Sequence, residues 1–136
     1  MANTITVTKL VESPSGNATF HVYLESDGVS GDLTDHVIVD SALDFVPALA
    51  KGENMVAWET WHELSGFSLQ LAFKSLTGKQ PIWVLTPVAN TNEFHCFGGL
   101  ADRTGIDAQG KLVITTKGFT TTANIGAFVI RLRKTK

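Results

Sequence analysis

With 136 residues, 43% of them hydrophobic and 18% charged, the chain is long enough for one domain with a real core and too apolar to be disordered. Its 11 Lys and Arg against 13 Asp and Glu give a net charge of -2, no electrostatic case for nucleic acid or an anionic membrane as partner. Cys96 is the only cysteine, which excludes an internal disulfide, and no apolar run approaches the ~20 residues of a membrane span.

Met1 begins a threonine-rich, strand-like segment rather than a basic region followed by an apolar one, so no signal peptide is expected and synthesis should be cytoplasmic. Thr4–Val11 is β-branched almost throughout and reads as the opening strand. A turn cluster at Ser13–Asn17 precedes Ala18–Glu25, where Phe20, Val22 and Leu24 share one face. Ser26–Asp32 is a polar loop. In the strand Leu33–Asp40 that follows, Val37 and Val39 are expected opposite His36 and Ile38. Ser41–Asn54 lacks β character, and Pro47 limits it to a loop with at most one short helix.

Val56–Leu76 is the stretch around which the chain is expected to fold. Phe67, Leu69, Leu71 and Phe73 alternate with Ser68, Gln70, Ala72 and Lys74, the period of a half-buried strand. Ser65-Gly66 supplies turn chemistry, so Met55–Glu63 and Phe67–Ser75 are expected to pair as an antiparallel hairpin. Pro81–Thr86 begins on a residue suited to a strand start, Asn92–Phe97 is a short strand, and Gly98–Gly110 is a long loop. Lys111–Lys117 and Ala127–Arg133 close the chain, with Leu112 and Ile114, then Phe128, Ile130 and Leu132, facing inward. Eight or nine short strands and no long helix predict a single β-sandwich over residues 1–136, either jelly-roll or immunoglobulin-like.

No residue pattern points to catalysis. His21, His36, His62 and His95 fall on four different predicted strands without metal-ligand spacing, and are expected to face solvent or the sheet rims. His95 and Cys96 are neighbours, which on a strand point to opposite faces, so a thiol–base pair is not expected there. Glu59 and Glu63 share a face but show no convergence with a second carboxylate, and the loop with Asp102 and Asp107 lacks a calcium-binding pattern. No metal, cofactor or enzymatic activity is expected. Trp58, Trp61 and Trp83 are the best candidates for a binding surface, since exposed aromatics can stack on sugar rings. Trp58 and Trp61 have opposite parity, so at least one should face the core unless a bulge intervenes; core packing is expected for two of the three.

The strings MANTITVTKLVESPSGNATFHVYLESDGVSGDLTDHVIVD, LSGFSLQLAF, FGGLADRTGIDAQGKLVITTKGF and GAFVIRLRK together resemble small virion structural proteins of tailed bacteriophages. The likeness runs over nearly the whole chain and is weakest in Leu43–Asn54 and Lys79–Asn92. It implies a cement or decoration protein that sits as a dimer or trimer on the outer capsid and clamps subunits of the major capsid protein. A tail or neck component, or a carbohydrate- or receptor-binding module, is the alternative. The surfaces expected to meet a neighbour are the two termini and the glycine-rich loop, through Gly98, Gly99, Asp102, Arg103, Asp107, Arg131, Arg133 and Lys134.

Overall fold

Alternating and β-branched segments dictate strands almost everywhere they occur. A computed structural model describes residues 2–12, 17–41, 43–45, 54–76, 78–94, 99–103 and 110–135. Ten strands run through them: β1 (Thr4–Glu12), β2 (Asn17–Glu25), β3 (His36–Asp40), β4 (Asn54–Leu64), β5 (Ser68–Lys74), β6 (Lys79–Leu85), β7 (Ala89–Glu93), β8 (Leu100–Ala101), β9 (Lys111–Lys117) and β10 (Ile125–Thr135). The short β8 falls within the stretch expected to be loop. Ser13–Gly16, Pro47, His95, Cys96, Gly98, Asp107 and Lys136 lie outside the described residues, and the expectations resting on them with them.

The larger sheet has the order β1-β2-β10-β4-β7, with β8 also paired to β4, and the smaller has the order β3-β9-β5-β6. Every pairing is antiparallel. Four of the pairs are nested in sequence: β5 with β6, β4 with β7, β3 with β9, and β2 with β10. The chain is thus one long hairpin with its tip at Ser75–Gly78, where the Ser75 amide donates to the Gly78 carbonyl (2.9 Å). Successive pairs of that hairpin fall in alternate sheets, which is jelly-roll rather than immunoglobulin-like winding.

That winding overturns the expected hairpin between Met55–Glu63 and Phe67–Ser75. β4 and β5 belong to different sheets, and Ser65-Gly66 is the corner by which the chain crosses from one to the other. Gly66 takes φ of 77°, and a Cβ there would lie 2.7 Å from the Asn124 side chain. Buried Asn124 holds the corner: its Nδ2 donates to the Ser65 carbonyl (3.0 Å), and its Oδ1 accepts from the Thr120 and Thr121 amides (2.9 Å each).

The inward faces match the alternation read from the sequence. Phe20, Val22 and Leu24 of β2, Phe128, Ile130 and Leu132 of β10, Leu69, Leu71 and Phe73 of β5, and Leu112 and Ile114 of β9 all enter one core. Phe67 at the corner stacks on Phe119 with centroids 4.7 Å apart.

Bulges interrupt the pairing at four positions among the described residues, one of them at Ile82 in the pairing of β6 with β5. Ile38 is the extra residue in the pairing of β3 with β9, so Ile38 and Val39 are both buried while Val37 is exposed, against the expected split. Leu10 is the extra residue in the pairing of β1 with β2, and Trp58 in that of β4 with β10.

Candidate functional site

Among the described residues, no three His, Cys, Asp or Glu side chains converge as a metal-ligand set. His21 and His36 are half-buried, as rim positions would be. His62 departs from that expectation. It lies between Thr60 and Leu64 on the inward face of β4, is 2% exposed, and has no hydrogen-bond partner on either ring nitrogen. Burial lowers its pKa from 6.5; the Thr86 carbonyl opposes this from outside hydrogen-bonding geometry. The unfolded chain therefore takes up this proton at higher pH than the folded one. Stability should be fully present above pH 6.5 and fall as pH drops through and below it. Denaturant titrations from about pH 8 to about pH 5 should show this decline, and a flatter one in His62→Leu, which removes an unsatisfied polar group. Parallel pH profiles for the two proteins would contradict it.

The structure brings together some of the expected partner-binding residues and separates others. Trp58, released from strand parity by its bulge, lies on the outer face of the larger sheet, where the Arg133 guanidinium stands 5.0 Å from its ring centroid. One pair further along, Arg131 reaches Glu59 (3.4 Å). Gly99, with φ of 84°, passes so close beneath that a Cβ would come within 3.0 Å of the Trp58 ring. Gly99, Arg131 and Arg133 thus gather at one end of the sheet, and Lys134 follows half-buried.

Asp102 does not belong to that surface. It is 1% exposed, and its amide donates to the Met55 carbonyl (2.8 Å), so its carboxylate cannot meet a neighbour as expected. Arg103 is exposed, with its amide tethered to the Gln80 side chain (2.9 Å) near β6 rather than to the Trp58 end.

The four sheet edges differ in how open they are. β3 and β7 are short, with 5 residues each, and β7 is polar (ANTNE). β6 carries Pro81 and Lys79, which blunt an edge. β1 is the longest of the four at 9 residues; it carries Lys9 and the bulge at Leu10, and Leu10 and Val11 near its end are 52% and 61% exposed. Leu10 and Val11 leave the strand beside the row that carries Thr19 and Arg131.

The opposite end of the same face carries a cleft of about 620 Å³, lined by Tyr23, Trp61, Glu63, Ser65, Pro87 and Ala127, among others. Strand register builds it. Tyr23, Ala127, Glu63 and Ala89 form one row across β2, β10, β4 and β7. The short side chains of Ala127 and Ala89 leave a trough between taller neighbours. Trp61 rises one row away, paired with Val129 and Thr91, and is 44% exposed. Trp83 is 39% exposed and packs edge-on against Phe94, with centroids 4.9 Å apart. Trp58 is half-buried, so none of the three tryptophans is the fully buried core residue expected for two of them.

Compared with known proteins, the chain matches no family model, no curated protein and no solved structure. The cleft was missed in the sequence because its floor is defined by small residues from separate strands. The exposed Trp61 was the only local signal of it.

Proposed function

We propose that this protein is a virion structural protein of the decoration type, which binds the major capsid protein of a tailed phage and stabilises its shell. The segments at both termini, in LSGFSLQLAF and in FGGLADRTGIDAQGKLVITTKGF that resemble small tailed-phage virion proteins support this role. The observation that carries it is the long edge strand β1, where Leu10 and Val11 are exposed, on the same sheet as the Arg133–Trp58 pair. An edge strand can add to a neighbour's sheet, and exposed apolar residues at its end gain by burial against that neighbour. The jelly roll is a fold of viral capsid proteins, lectins and cupins alike, so the role is argued from the edge rather than from the fold. Docked as a homo-oligomer, such a protein would clamp several capsid subunits at once and stabilise the assembled shell by mass action.

Co-sedimentation with shells of the partner capsid protein tests this. The full chain should bind to saturation and raise the temperature at which shells break. Replacing Leu10 and Val11 together by Asp, or Arg133 by Ala, should lower occupancy while leaving the free protein folded. Full occupancy by both variants would overturn the proposed edge. Unchanged shell toughness, with loss of attachment to cells, would favour a receptor-binding role instead.

A further inference from the structure

We propose that the Tyr23–Trp61 cleft binds a neutral oligosaccharide, with Trp61 as the stacking platform. The inference goes beyond the decoration reading and does not depend on it. Trp61 is on a regular part of β4, where its neighbours Thr60 and His62 face the core, so nothing in the local backbone forces it outward except strand parity. Its ring is left without an aromatic or cationic partner on the outer face among the described residues. A large aromatic surface held rigidly by a sheet, beside a trough with a polar rim, is a ready-made ligand site.

The polar groups around the trough suit hydroxyl-bearing ligands. The Glu63 carboxylate is exposed and has no partner among the described residues, so it can accept from two adjacent hydroxyls. Tyr23 lines the cleft, and its hydroxyl, which donates to Glu25 (3.1 Å), keeps an oxygen able to accept. The Ser65 hydroxyl adds a group that both donates and accepts. A pyranose presents an apolar face of C–H groups and a rim of hydroxyls, which matches a flat ring flanked by such acceptors.

An aromatic and acidic surface can also attract an organic cation, and spacing decides between the two. Tyr23 and Trp61 stand on β2 and β4, with β10 between them, and are offset by one row. Two strand spacings alone separate them by about 10 Å, too far for both rings to lie within about 6 Å of one ammonium group. That span suits an extended ligand of about two sugar rings instead. The site also remains accessible on a docked protein, because Gly126 and Arg133 are seven residues apart on β10, about 24 Å at the rise of an antiparallel strand.

The test is a screen of the full chain against an array of neutral di- to hexasaccharides, with each hit titrated by intrinsic tryptophan fluorescence. At least one neutral oligosaccharide should bind. Trp61→Ala should weaken it by about tenfold or more, the loss expected when an aromatic stack is removed. Glu63→Gln should weaken it too, and Trp83→Ala should leave it unchanged. Trp61 is exposed, so the variant should keep its melting temperature, which a thermal scan checks. No binding across the array, or binding untouched by Trp61→Ala in a folded protein, would overturn the proposal. So would saturable quenching by tetramethylammonium chloride that depends on Trp61, which would make the cleft a cation site. Shell occupancy is measured separately, so failure here leaves the decoration reading standing, and the reverse.

Discussion

Phe73→Ala is expected to lower the free energy of unfolding by about 3–5 kcal/mol, the range for truncating a fully buried phenylalanine. Phe73 is 0% exposed and sits on β5, a central strand of the smaller sheet, opposite Leu112 on one side and Gln80 on the other. The ring therefore packs between the sheets with neighbours on both flanking strands, and the rigid rolled hairpin gives the cavity little room to collapse. Lys74, the next residue, provides the control. It is exposed, and the Asp35 carboxylate it pairs with (3.1 Å) also holds Lys79 (2.6 Å). Lys74→Ala should then cost under about 1 kcal/mol, as for other exposed ion pairs. Chemical denaturation of the two variants measures both, and equal losses would mean the register of β5 is wrong.

The second large effect is expected at Gly99. Its φ of 84° is a left-handed conformation, and a Cβ there would meet Val56 Cγ1 at a distance no real contact shows, with the Ala57 carbonyl and the Trp58 ring each at 3.0 Å. Gly99→Ala adds about 1–2 kcal/mol of backbone strain to about 1–3 kcal/mol of overpacking. Gly31 makes the comparison clean. It has a similar φ of 80°, yet nothing lies within 4 Å of its Cβ position, so Gly31→Ala should incur the backbone term alone. Equal destabilisation by the two substitutions would show that the segment at Gly99 is not packed against β4. Gly99, expected to supply backbone freedom to a contact loop, is instead fixed by close approach to β4.

Much of this fold is legible in the chain, for reasons that particular residues make plain. The faces of β2, β5 and β10 follow from strict alternation, because side chains in a strand have a period of two and one face must be buried. Bulges are what alternation cannot foresee. One extra residue at Ile38 buries two successive side chains, and one at Trp58 turns both Trp58 and Trp61 to the same outer face. The error over β4 and β5 has a different origin. Ser65-Gly66 is turn chemistry, but a turn within one sheet and a corner between two make similar local demands, and the difference lies in Asn124, which is 58 residues beyond Gly66. His62 is not legible as a core residue because a lone histidine on a strand reads as a solvent-facing or rim position opposite an apolar face. Its burial comes from its place on the inward face of β4, in step with Thr60 and Leu64, a parity that depends on where the bulge at Trp58 falls.

The candidate site divides along the same line. Arg131 and Arg133 share a face because they are two apart on one strand, and their position on the outer surface was readable. That Trp58 lies under Arg133 was not, since it needs both the bulge and the pairing of β4 with β10. Asp102 looked exposed because its neighbours are glycine-rich and polar. Its backbone is in fact tied to Met55 beside β8, and that pairing of β8 with β4 has no periodic signal in two residues.

The most direct measurement of the central claim is the copy number and position of this protein in purified virions, by quantitative mass spectrometry and cryo-electron microscopy of the same particles. The account predicts a copy number comparable with that of the major capsid protein, and jelly-roll density spread over the shell with β1 against a capsid subunit. Absence from the particle, or density confined to the tail or a single vertex, would contradict it.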